Sequence, residues 1–101
     1  MEDYSLSDDD GGWILWSGSL VMSRLVECDD NFRSCSIAVE LGAGAGLIST
    51  VMAAAGMQLV LPTEQPSVMK FLHANIDANR ALIDASPGSC TPEVLSWGAH
   101  L

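Results

Sequence analysis

The sequence predicts an α/β fold, with a parallel sheet of three strands in the order 3-2-1. Three observations lead there. Short apolar runs alternate with helix-patterned stretches, which is the pattern of strand–crossover–strand units. Three glycines at alternate positions, Gly42, Gly44 and Gly46, join the first run directly to a helix. Glycine is needed at such a turn because the backbone must bend sharply and approach a ligand without a Cβ in the way. Finally, an acid, Glu64, follows the second run, 18 residues beyond Gly46. Right-handed crossovers between the three runs set the strand order.

The chain has 101 residues, which favours one domain. Hydrophobic residues make up 49%, enough for a real core. No apolar run approaches the roughly 20 residues that span a bilayer, and the N-terminus is acidic where a secretory leader is basic. The expectation is a soluble cytoplasmic or nuclear protein with no membrane partner. The formal charge is −9, from 13 acids and 4 bases, and Glu2, Asp3, Asp8, Asp9 and Asp10 crowd the first ten residues. Such a surface repels phosphates and offers no Lys/Arg cluster, so no nucleic-acid partner is expected. A basic protein substrate is better matched. The three cysteines form no C-x-x-C pair, and His73 and His100 stand apart from them. Neither a disulfide framework nor a metal site is indicated.

In order along the chain, residues 1–12 read as an acidic flexible tail and 13–101 as the folded domain. Leu20, Val21, Arg24, Leu25 and Cys28 recur at helical spacing after the Ser17-Gly18-Ser19 cap signal, predicting a helix over 17–28. Residues 29–34 are a polar connection. Strand 1 runs over 37–41 into the glycine turn, and residues 47–55, apolar almost all round, form a helix that must be buried. Gly56 ends it. A short apolar run over 57–61 predicts strand 2, closed by Pro62. Pro66 is placed to start the next helix, whose stripe is Val68, Leu72 and Ile76 with Phe71 beside it. Residues 85–91 read as a loop and 93–97 as strand 3.

The glycine turn points to a particular ligand. Its N–H groups at a helix N-terminus favour a carboxylate or phosphate. A dinucleotide site has G-x-G-x-x-G, but here the third glycine comes one residue early. Glu40, two residues before Gly42, repels a pyrophosphate and attracts a cation. S-adenosylmethionine carries an ammonium, a sulfonium and a carboxylate but no phosphate, and suits the turn better. The alternative is a glycine-rich turn that packs a helix and binds nothing. Glu64 alone reads as a solvated loop acid; its distance from the glycines makes it the residue that grips ribose hydroxyls.

Glu40-Leu41-Gly42-x-Gly44-x-Gly46 resembles the first motif of the class I, Rossmann-like methyltransferases. Four further signals resemble one branch, methyltransferase family 16, home of many protein-lysine methyltransferases: Trp16 followed by Leu20, Thr63-Glu64 where the family has Thr-Asp, the Asn75 to Asn79 helix, and Leu95-x-Trp97-Gly98. The resemblance covers residues 13–98. It implies S-adenosylmethionine as cofactor, bound by Trp16, Glu40, Gly42, Gly44, Gly46, Glu64 and Trp97, with Trp16 lining the cleft and Trp97 beside the adenine. Taken alone, Trp16 reads as an aromatic anchor for its helix. The asparagines are architectural in the family, and the same is expected here.

The implied function is a protein-lysine N-methyltransferase in truncated form, the N-terminal half only of a Rossmann-like class I domain. The family's substrate-facing motif follows a fourth strand, so no residue is assigned as catalytic. The expectation is a fragment, a short isoform or a truncated gene model with weak cofactor binding. The alternative is a non-catalytic half-domain, an interaction module with a partner chain at its open sheet edge. An NAD-dependent oxidoreductase is disfavoured by the glycine spacing and Glu40.

Overall fold

The computed structural model describes residues 16–98; the tail expected over residues 1–12 lies outside them. Helix α1 (Ser17–Cys28) has the bounds that the sequence predicts. Its buried face is not the apolar stripe that predicts it. α1 buries Ser23 and Val26, with Met22 partly covered, and leaves Leu20, Val21 and Leu25 exposed. The polar connection holds a one-turn helix, α2 (Asp30–Arg33), started by the Asp29 carboxylate, which accepts from the Asn31 amide at 2.9 Å.

Strands β1 (Ile37–Glu40), β2 (Leu59–Glu64) and β3 (Glu93–Val94) pair in parallel, with β2 in the middle. This is the expected 3-2-1 order. All three strands differ in bounds from the sequence reading: β1 ends at Glu40 and not at residue 41, β2 runs from Leu59 to Glu64 and not over 57–61, and β3 stops at Val94 and not at residue 97. Pro62 does not close the second strand but sits inside it, opposite Glu40. The Leu59 amide donates to Ser36 on the β1 side and the Val60 amide to Ser89 on the β3 side. By that alternation the donor missing from Pro62 faces β3. There the ladder is already interrupted, between the Val60–Cys90 bridge and the Thr63–Glu93 pair. The third strand likewise joins the sheet earlier than expected. Residues 85–91 are not wholly loop, because Thr91 donates to the Val60 carbonyl at 2.9 Å. Regular β3 then ends at Val94, and only the Leu95 amide, bonded to the Glu64 carbonyl at 2.9 Å, extends the ladder.

All the longer helices feed one core. Val26 of α1, Met52 and Ala53 of α3 (Leu47–Ala54), Leu72 and Ile76 of α4 (Met69–Ala78) and Ile83 of α5 (Arg80–Asp84) cluster with Met57, Val60 and Cys90. Val68, Leu72 and Ile76, the stripe read from the sequence, are each no more than 1% exposed. Burying side chains of this size contributes roughly 2 kcal/mol each. A three-residue turn over 66–68 precedes α4, so Pro66 stands ahead of the helix. Asn79 separates α4 from α5, which the sequence reading does not separate. Its side-chain amide donates to the Asn75 carbonyl at 2.8 Å, and that of Asn75 to Phe71 at 3.0 Å. Both asparagines are therefore tied to helix backbone.

β1 pairs with β2 on one side, and no strand among the described residues pairs with its other side. Ile37, Val39 and Leu41 along it are 62%, 56% and 60% exposed.

Two predictions follow from the packing. Ser86 ties the loop after α5 to the end of α3 by donating to the Ala53 carbonyl at 2.7 Å. A Cβ on Gly88 would stand 2.2 Å from that same carbonyl oxygen and 2.6 Å from that of Met57. Gly88→Ala is expected to lower stability by about 3 kcal/mol or more, because the clash is with main chain that cannot rotate away; a urea melt checks this. Separately, Cys28 and Cys35 are exposed, whereas burial pushes the Cys90 thiol up to about 11. Since the thiolate is the reactive form, iodoacetamide at neutral pH should label Cys28 and Cys35 quickly and Cys90 only after unfolding. Mass spectrometry of the labelled peptides reads the difference.

Candidate cofactor site

The glycine turn owes its shape to positive φ at all three glycines, 64° at Gly42, 58° at Gly44 and 84° at Gly46. Residues with a Cβ rarely take this conformation. At Gly46 a second demand coincides. It is the N-cap of α3, and a Cβ on it would lie 2.7 Å from Leu72 Cδ1. The third glycine thus lets α4 pack onto the turn.

α3 starts without a capping side chain of its own. The Glu40 carboxylate, at the end of β1, takes that place. The Ser49 hydroxyl, in the first turn of α3, donates to Glu40 Oε1 at 2.6 Å, and the Ser49 amide also favours the ionised carboxylate. A carboxylate beside a helix N-terminus is stabilised by the free amides there. The Thr63 hydroxyl holds the same residue by its main chain, donating to the Glu40 carbonyl at 2.7 Å. Burial pushes the Glu40 carboxyl above its ordinary value of 4.5, the two Ser49 donors pull it down, and the Glu64 charge pushes it up.

From the end of β2, Glu64 turns back over the glycines. Its Oε2 accepts the Gly44 amide at 2.9 Å and its Oε1 accepts the Gln65 amide at 2.9 Å. Each oxygen retains capacity for a further donor. Gly42, Glu64 and Trp97 line one open cleft of about 410 Å³, together with Gln65, Pro66, Leu95 and Ser96. The Trp97 indole is 75% exposed.

Of the seven residues chosen from the sequence, the structure therefore brings Gly42, Glu64 and Trp97 to one cleft, with Gly44 bonded to Glu64. Gly46 lies behind the turn under α4, and Glu40 lines a groove at the free edge of β1. Trp16 is at the head of α1, where its carbonyl accepts the Ser19 amide at 3.0 Å; it is half exposed and does not line the cleft. Sequence reasoning missed Ser49. Its signal was present: Ser49 and Thr50 are polar residues in the middle of a run that must be buried, and Ser49 is 0% exposed.

The donor set fits S-adenosylmethionine. Glu64, held by the Gly44 and Gln65 amides, retains acceptors suited to a diol, and the exposed Trp97 lines the same cleft. Among the described residues no group of His, Cys, Asp and Glu could hold a metal, and no helix is long and apolar enough to cross a membrane.

The family described as lysine methyltransferase matches the sequence over residues 4–101. The chain belongs to that family. It is 36% identical over 89 residues to protein N-lysine methyltransferase METTL21A of Mus musculus, and 31% over 88 residues to that of Xenopus tropicalis. It is 34% identical over 90 residues to protein-lysine N-methyltransferase rrg1 of Schizosaccharomyces pombe. These matches take in 87%, 87% and 85% of this chain but 39%, 40% and 28% of the respective relatives. The chain thus spans two fifths or less of the length of the curated relatives it matches. The three-strand parallel sheet accords with a Rossmann-like fold truncated after its third strand.

Glu40 gives this family member a testable pH response. Because its folded-state carboxyl is raised above 4.5, the stability linked to it is fully present below that value and is lost as pH rises through the raised one. Urea melts from about pH 4 to 7 should show Glu40→Gln with a flatter decline than the wild type over that window. Parallel declines would mean that burial does not govern this carboxyl.

Proposed function

We propose that this chain carries the S-adenosylmethionine-binding part of a protein-lysine N-methyltransferase. The observation that carries the reading is Glu64: its carboxylate bridges the positive-φ glycine turn and the cleft that Trp97 lines. When bound, S-adenosylmethionine supplies an electrophilic methyl group on its sulfonium. The residues of this chain hold and orient that ligand. Trp97 offers a flat face for the adenine, and Glu64 accepts from the ribose hydroxyls. Gly42 brings main chain without a Cβ to the cleft wall, while Glu40 supplies negative charge for the ligand ammonium. Methyl transfer to an amine depends chiefly on positioning and desolvation. Lysine as the acceptor rests on the names of the relatives, and the formal charge of −9 favours a basic protein over a nucleic acid.

A second reading has one observation in its favour. The exposed Ile37, Val39 and Leu41 lie along a strand whose outer edge has no partner among the described residues, and such an edge is a template for strand addition. In that reading the chain is an interaction module that works with a partner at β1.

Calorimetric titration of the 101-residue chain with S-adenosylhomocysteine, beside a circular dichroism melt, separates the two. Binding with a raised melting temperature is expected, and Glu64→Ala or Trp97→Ala should weaken it by about tenfold or more. A cooperative melt without any heat of binding would sink the cofactor reading, as would a preference for NAD.

A further inference from the structure

We propose that Ser49 is a positioning residue, whose hydroxyl holds the Glu40 carboxylate in place for the cationic end of the ligand. This rests on the cofactor reading above and adds to it a residue that the glycine motif does not contain.

The geometry is specific. Ser49 is 0% exposed, so its hydroxyl has no water to turn to, and it donates to Glu40 Oε1 at an O···O distance of 2.6 Å. Glu40 is the last residue of β1 and Ser49 stands in the first turn of α3, so the bond spans the glycine turn and joins its two ends. With the Thr63 hydroxyl on the Glu40 carbonyl, the residue is held at both side chain and main chain. A donor from a charge-stabilising hydroxyl matters here because burial works against the ionised form.

The other groups around Glu40 give no such support. Glu64, from β2, adds a like charge. Cys90, in the third-strand segment, is a neutral thiol at ordinary pH, since burial pushes it up to about 11. On α1, Arg24 and Glu27 pair with each other at the surface, 3.6 Å apart. The donors that favour the Glu40 charge are those of Ser49, and of the two only the hydroxyl can be removed by substitution.

The test uses the full chain with Ser49→Ala and Ser49→Cys, the second keeping the volume while replacing a strong donor by a weak one. Unchanged far-ultraviolet circular dichroism establishes that each variant is folded. Two quantities are read: the titration of the Glu40 carboxyl by carbon-13 NMR in the free protein, and the affinity for S-adenosylhomocysteine by calorimetry. Both variants should titrate Glu40 at higher pH than the wild type. Both should bind about tenfold more weakly, with the loss larger at about pH 6 than at about pH 8, as expected when the acid must be ionised to attract a cation. A merely structural role would shift affinity without moving the Glu40 titration.

Glu40→Gln separates the possible failures. If it loses affinity while both Ser49 variants match the wild type in titration and binding, the role of Ser49 is overturned and the cofactor reading stands. If the wild type and Glu40→Gln bind alike, the roles of Glu40 and Ser49 fall while the cofactor reading stands; if neither binds, the cofactor reading itself falls and the assignment of Ser49 falls with it.

Discussion

The structure depends on how β1 is joined to α3. The chain must pass from an extended strand into a buried helix within six residues, 41–46. Three positive-φ glycines make the passage possible, but they leave the helix without a capping side chain. Glu40 supplies what the turn cannot. Its carboxylate meets the first turn of α3 through Ser49, and its carbonyl is secured to β2 through Thr63. One residue therefore fastens strand to helix and strand to strand. Burial leaves its carboxyl raised, although the donors of Ser49 pull it part of the way back.

From that junction the other layers follow. Gly46 has no Cβ, so Leu72 and Ile76 of α4 can press against the turn. α4 is thereby held close to the end of β2, which carries Glu64. The position of Glu64 in turn is consistent with the ladder, since its carbonyl receives the Leu95 amide and its carboxylate receives that of Gly44. Two residues after Leu95 the chain reaches Trp97, at the cleft. The cleft is thus assembled from the ends of β1, β2 and β3 on one edge of the sheet, where a parallel α/β fold places ligands.

Much of this was legible in the sequence because it obeys local rules. The bounds of α1, the burial of Val68, Leu72 and Ile76, and the strand order each follow from periodicity or crossover handedness. What escaped was decided by neighbours distant in sequence. Pro62 looks like a strand breaker until the interruption of β3 opposite it is known. The outward face of α1 is the more apolar one in sequence, yet Ser23 and Val26 are what α3 receives. Residues 89–91 carry turn-forming types but find the free side of Val60. The meeting of Glu64 with the glycine turn was readable from spacing, whereas Ser49 needed the fold to bring it back to Glu40 across nine residues.

The departure of this chain from its family at Thr63-Glu64 has a physical meaning in that setting. An aspartate would be one methylene shorter, with less reach from β2 back to the turn. Glutamate spans the gap, and both of its oxygens find main-chain amides, those of Gly44 and Gln65. The longer side chain would otherwise bring more rotamers to be frozen on binding. Two amide bonds fix it beforehand, in a place where the acceptor capacity left over is directed to the cleft. The extra methylene thus lets the carboxylate reach the glycine turn, whose Gly44 amide is one of the two donors that hold it still.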